Sequence, residues 1–163
     1  MPKRKQSKII TFEDLRISPE DPKLGKQLTL GTTVKVDDFI EPGSISDLRI
    51  KKYVGRLFFS VPVKLPCVNG FGSCKTDLCK IFKNKDVCKV LKEIGGNCEC
   101  PFQPNVYKYY NGEPIQVPTA KGLGGLFAKG KYAIEWRIIS PKGEELGCLS
   151  GEVKLNLNKQ NVI

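Results

Sequence analysis

Seven cysteines in 163 residues, five of them between Cys74 and Cys100, constrain this chain more than any other feature. Such density is expected in an oxidising compartment, where local disulfides staple loops together. Cys98 and Cys100 are separated by one residue, too close for an ordinary bridge to each other, so each is expected to reach a different partner. A zinc site is the competing use of these thiols. The chain has no histidine, so a metal site would have to be all cysteine. The separations from Cys67 to Cys74, Cys79 and Cys88 do not form the paired short knuckles of zinc modules. No metal is expected.

The missing histidine also removes the commonest general base and every Ser-His or Cys-His nucleophile pair. Asp37 with Asp38, and Glu144 with Glu145, remain as candidates for acid/base work. Neighbours on a strand point to opposite faces, so exposed turn charges are the plainer reading. No catalytic residue is assigned, and the chain is not expected to be an enzyme.

Twenty-seven Lys and Arg against seventeen Asp and Glu leave a formal charge of +10, which draws a protein toward phosphate-rich or acidic surfaces. The basic residues are interleaved through strands and loops, and no nucleic-acid signature appears. An anionic membrane surface or an acidic glycan is the expected partner, and nucleic acid is not. Hydrophobic residues make up 40% and charged residues 27%, a globular composition, and no apolar run approaches the roughly 18 residues of a membrane span. Residues 1–8 read as a solvated, disordered basic tail and residues 9–163 as a single domain. The basic start lacks the apolar stretch of a signal peptide, which this cysteine pattern would normally need, so the sequence reads as a mature or recombinant form.

Apolar residues recur at period two in Leu28/Leu30, Val34/Val36, Leu48/Ile50 and Leu57/Phe59/Val61/Val63/Leu65, which predicts strands. Glu41-Pro-Gly-Ser44 marks a turn, and Pro62 predicts an edge position or a bulge. Between Cys67 and Cys100 the period changes. Val87, Val90, Leu91 and Ile94 share one helical face, starting near Asn84 and stopping at Gly95-Gly96. Asn111-Gly112 between Val106–Tyr110 and Ile115–Val117 predicts a hairpin. Tyr132, Ile134, Trp136 and Ile138 alternate again, as do Leu149, Val153, Leu155 and Leu157 after a turn at Pro141-Lys-Gly143. About eight strands with one short helical insert predict an all-β antiparallel sandwich or open barrel.

Leu65-Pro-Cys67, Gly72-Ser-Cys74, Leu78-Cys79, Cys98-Glu-Cys100-Pro-Phe102, Gly130-Lys-Tyr132 and Leu146-Gly-Cys148 together resemble the ML lipid-recognition superfamily, and within it the lysosomal ganglioside activators that serve sphingolipid breakdown. The likeness is well spaced from about Leu65 onward and loose before it. It implies bridges from Cys67 to Cys74, Cys79 to Cys100 and Cys88 to Cys98. Cys148 is left over, because its partner in the family lies near the N-terminus, where this sequence has no cysteine.

The resemblance implies two sheets splayed into a β-cup whose interior holds acyl chains. Alternation by itself favours a solid core, and it is the resemblance that reverses this. On the cup reading the lipid-binding candidates are Val34, Val36, Phe59, Val61 and Val63 in the first half, with Tyr132, Ile134, Trp136, Ile138, Val153 and Leu155 in the second. Gly122-Leu-Gly-Gly-Leu-Phe127 places Leu123, Leu126 and Phe127 on a glycine-rich loop between Lys121 and Lys129. That arrangement suits insertion into a bilayer with lysines at the headgroups, and a buried loop is the plain alternative. The expected function is non-enzymatic binding and transfer of a lipid, glycolipid or phospholipid, with presentation to a glycosidase as the resemblance's further implication. No cofactor is expected beyond that bound lipid. The expected location is secreted or lysosomal. A secreted protein that binds a receptor or glycan, with lipid incidental, is the competing reading.

Overall fold

The computed structural model describes residues 8–20, 22–23, 25–56, 58–68, 70, 72–110, 112–116 and 130–155. Among them run β1 (Ile10–Ser18), β2 (Gln27–Val36), β3 (Ile45–Arg56), β4 (Phe59–Lys64), β5 (Lys75–Asp77), α1 (Leu78–Lys83), α2 (Lys85–Glu93), β6 (Asn105–Tyr109), β7 (Ile115–Gln116), β8 (Gly130–Ile139) and β9 (Glu145–Leu155). One antiparallel sheet has the order β1-β2-β6 with β7 also on β2, and the other has the order β4-β3-β8-β9 with β5 also on β3. The expected two-sheet, mostly β architecture with a disulfide-bonded helical insert is the one adopted. Pro62 sits on the edge strand β4, where its missing N–H costs no ladder bond.

Two expectations need correction. Among the described residues the expected β6–β7 pairing is not made. β6 pairs with Val36–Thr32 and β7 with Leu28 and Gln27, so the chain continues along β2 instead of doubling back. β2 is ten residues long, and following it satisfies more backbone groups than a two-stranded reversal would. The insert is two helices, not one. The Asp77 side chain caps α1 by accepting from the N–H groups of Cys79 and Lys80, and Asn84 does the same for α2 at Asp86 and Val87. α2 stops where Gly95 adopts φ 88°, a conformation that favours glycine.

Three disulfides, Cys67–Cys74, Cys79–Cys100 and Cys88–Cys98, tie the insert and the loop before it, in the pairing that the resemblance implied. The sheets meet along one edge, where the Ile9 N–H donates to Leu146 O at 3.0 Å. Gly147 allows that approach, since a Cβ there would lie 2.8 Å from Ile10 Cβ. Phe12 and Trp136 touch across the gap. The main core gathers Ile10, Val36, Ile40, Leu78, Phe102, Tyr107, Ile138 and Leu146, and a smaller cluster joins Ile50, Leu65 and Tyr132. No helix among the described residues is long and apolar enough to cross a membrane.

Candidate functional site

Between the sheets and the helical insert lies a cavity of about 320 Å³. β1 contributes Ile10 and Phe12, β2 contributes Leu30, Thr32, Val34 and Val36, and β8 contributes Trp136 and Ile138. The insert supplies the opposite wall with Leu78, Ile81, Phe82, Val87, Leu91 and Ile94. Alternation explains the sheet side, because every second residue of a strand points the same way. The helical wall follows from the spacing of Val87, Leu91 and Ile94 on one face of α2. That face has no fully buried residue, although it is the apolar one, because it borders the cavity.

Within the lining, Ile40, Leu78, Phe102 and Tyr107 are buried, and Leu15, 44% exposed, is the residue most open to solvent. Three polar groups of the lining are engaged within the protein. The Trp136 indole N–H donates to Ser46 Oγ at 2.8 Å, the Tyr107 hydroxyl donates to Gln103 O, and Thr32 Oγ1 donates to Glu13 O at 3.2 Å. Burial pushes the Tyr107 phenol up from its ordinary range, which keeps it neutral. Among the described residues the lining is apolar apart from Thr32, Tyr107, Tyr109 and the Trp136 indole, an arrangement that can shelter an apolar body.

Of the eleven lipid-binding candidates, Val34, Val36, Trp136 and Ile138 line this cavity. The other seven lipid-binding candidates fall outside it. Tyr132 is a member of the smaller core cluster, against which Ile134 and Leu155 pack. Val153, opposite Tyr132, borders a hollow that it shares with Ile17. Phe59, Val61 and Val63 are exposed. Their facing was read correctly, since Val61 pairs with Val54, Val63 with Lys52, and Lys52 with Tyr132, and cross-strand partners share a face. The β3–β4 hairpin simply carries that face beyond the opposing sheet. Lys121, Leu123, Leu126, Phe127 and Lys129 lie outside the described residues, as do residues 1–7 of the basic tail.

Sequence reading missed the lining residues of β1, α1 and α2, together with Leu30, Thr32, Ile40, Phe102, Tyr107, Tyr109 and Leu149. The Asp77 cap before Leu78-x-x-Ile81-Phe82 was the signal for α1, weak because six residues make fewer than two turns. In β1 the alternation of Ile10 and Phe12 shifts phase at Leu15 and Ile17, a sign of an irregular strand.

Other surfaces carry charge without assembling chemistry. Asp37 and Asp38 are exposed, and the buried Glu145 lies 3.4 Å from the Arg137 guanidinium. A larger hollow on the outer face of β3, β8 and β9 is lined by Arg49, Lys51, Lys64, Glu135 and Glu152. No cluster of three or more metal-ligating side chains occurs among the described residues. Cys148 is a free, exposed thiol on that outer face, and partial burial followed by the Glu145 and Glu135 carboxylates pushes its pKa up.

A family model described as the ML domain matches residues 3–155. The chain belongs to the ML domain family. One curated relative is a phosphatidylglycerol/phosphatidylinositol transfer protein of Pyricularia oryzae, 23% identical over 150 residues, or 92% of this chain. Those residues cover 66% of the relative, so this ML domain chain spans just under two thirds of its length. Among solved structures, a Niemann-Pick type C2 protein from Japanese carpenter ant aligns with 94% of this chain and 98% of its own, at 16% identity and a TM-score of 0.49.

Proposed function

We propose that this ML domain binds a lipid by its apolar tail, lifts it from a membrane and transfers it, without chemistry on the ligand. The observation that carries the reading is the cavity between the sheets, apolar along its walls and partly open to solvent. Family membership and the transfer activity named for the fungal relative support it. Burying several hundred Å² of tail at roughly 25 cal/mol per Å² offsets the cost of leaving the bilayer.

The β3–β4 hairpin is the docking element we assign. Phe58 and Phe59 are 90% and 83% exposed, and Val54, Val61 and Val63 extend the apolar strip. Lys52 and Lys64 flank it on the same two strands. Apolar side chains at a hairpin tip with cations behind them suit a bilayer with anionic headgroups. The segment from Lys121 to Lys129 has the same chemistry in sequence and is proposed as a second docking loop.

Three disulfides suit an oxidising compartment, so we place the protein outside the cell or in lysosomes. Presentation of a glycolipid headgroup to a hydrolase is a finer proposal that rests on the cysteine framework. Native mass spectrometry after mild extraction tests the central claim. One lipid per chain is expected, and a chain that never carries lipid would sink the transfer reading in favour of a receptor- or glycan-binding role.

A further inference from the structure

β1 changes phase inside the strand. Ile10 and Phe12 face the cavity from even positions, and Leu15 faces it from an odd one. Between them the β1–β2 register slips, with Glu13 opposite Thr33 and Arg16 opposite Gly31, so one extra residue is accommodated. Asp14 takes up the slip at φ 53°, a left-handed conformation that side chains other than glycine, asparagine and aspartate rarely adopt. An unbroken strand would turn Asp14 and Arg16 toward the cavity and Leu15 toward water.

Five side chains hold the bulge. Thr32 Oγ1 donates to the Glu13 carbonyl at 3.2 Å. The Asp14 carboxylate accepts from Arg16 Nε at 3.0 Å and from the Tyr110 hydroxyl at 3.1 Å. Tyr110 is fixed by Thr33 Oγ1 at 2.8 Å, and its ring lies against Gly31, where a Cβ would come within 2.8 Å of it. β1 is an edge strand, and a bulge also protects an edge from pairing with other chains. That role does not require Leu15 to face the cavity, and Leu15 adds little burial there because it is 44% exposed.

We propose that Leu15, aimed by this bulge, selects ligands by girth at the cavity opening, passing slender unbranched acyl chains and rejecting branched ones. The inference rests on the lipid-binding reading and names the residue that sets its substrate class. A cavity of about 320 Å³ is at the small end of ligand sites, so one side chain at its opening governs much of the cross-section. Asp14, Thr32 and Tyr110 are positioning residues that act through Leu15.

The single tryptophan, Trp136, lines the cavity, so its fluorescence reports filling. The lipid-free full chain is titrated with hexadecanoic acid and with a tetramethyl-branched hexadecanoic acid, and the ratio of the two affinities is read. Leu15→Ala is expected to move the ratio about tenfold toward the branched acid and Leu15→Phe to move it the other way, the scale of methyl discrimination in apolar pockets. Asp14→Val, which cannot hold the positive φ, is expected to shift the ratio as Leu15→Ala does. Should Asp14→Val fail to fold, the Leu15 pair decides. An unchanged ratio in both folded Leu15 variants overturns the selector role and leaves lipid binding standing. A parental chain that takes up neither acid overturns both.

Discussion

Phe12 on one sheet and Trp136 on the other meet with ring centroids 5.5 Å apart, and Trp136 is anchored by its N–H bond to the buried Ser46. The pair props the sheets at the cavity wall. Trp136→Ala is expected to cost about 3 kcal/mol, combining lost aromatic volume with an unpartnered Ser46 hydroxyl. Trp136→Phe should recover the ring contact and not the hydrogen bond. Urea unfolding of the three proteins measures both differences, and equal midpoints for Ala and parent would remove the strut role.

The docking hairpin separates from folding. Phe58→Ser with Phe59→Ser removes about 2 to 4 kcal/mol of insertion energy if both rings enter the bilayer. Folding stability should hold within about 0.5 kcal/mol, because both side chains are exposed. Vesicle co-sedimentation at low and high salt reads docking, with salt expected to weaken it by screening Lys52 and Lys64.

Because α2 buries no residue fully, its attachment depends on Cys88–Cys98. Serine at both positions should cost about 2 to 3 kcal/mol in the chain-entropy account. Amide exchange in α2 should then rise well before exchange in β3 and β8. Uniform acceleration across the protein would show that the insert is not a separate unit.

Cys148 should be the one reactive thiol per chain, since the other six cysteines are bridged. Its raised pKa means that less thiolate is present near neutrality than for an ordinary cysteine. Alkylation should be slow at pH 7.5 and climb about tenfold per pH unit until the thiol ionises. Glu135→Gln removes one of the carboxylates that oppose the thiolate and should speed labelling at fixed pH.

Period alone gave the facing of four lining residues and not the existence of a cavity. Val34, Val36, Trp136 and Ile138 were legible because a strand's facing depends only on odd or even position. The same rule put Phe59, Val61 and Val63 on the correct face and said nothing about whether another sheet covers it. Leu15 escaped because a bulge moves the count by one, and its cause is spread over Thr32, Thr33 and Tyr110, which are distant in sequence. The helical wall was half legible: α2 has periodicity and caps, and α1 is too short to show a period.

By itself the sequence determined what local chemistry can determine: strand facing, the Asn84 start and glycine stop of α2, and the absence of histidine chemistry. The cysteine spacing, through family resemblance, also carried the disulfide pairing. Only the tertiary structure decided that β7 continues along β2, that the β3–β4 hairpin stands clear of the opposing sheet, and that the cavity is walled by the insert. Those outcomes depend on where two sheets stop overlapping and on which backbone groups find partners far along the chain. Neither quantity is carried by neighbouring residues, since sheet pairing and burial are set by contacts between distant segments.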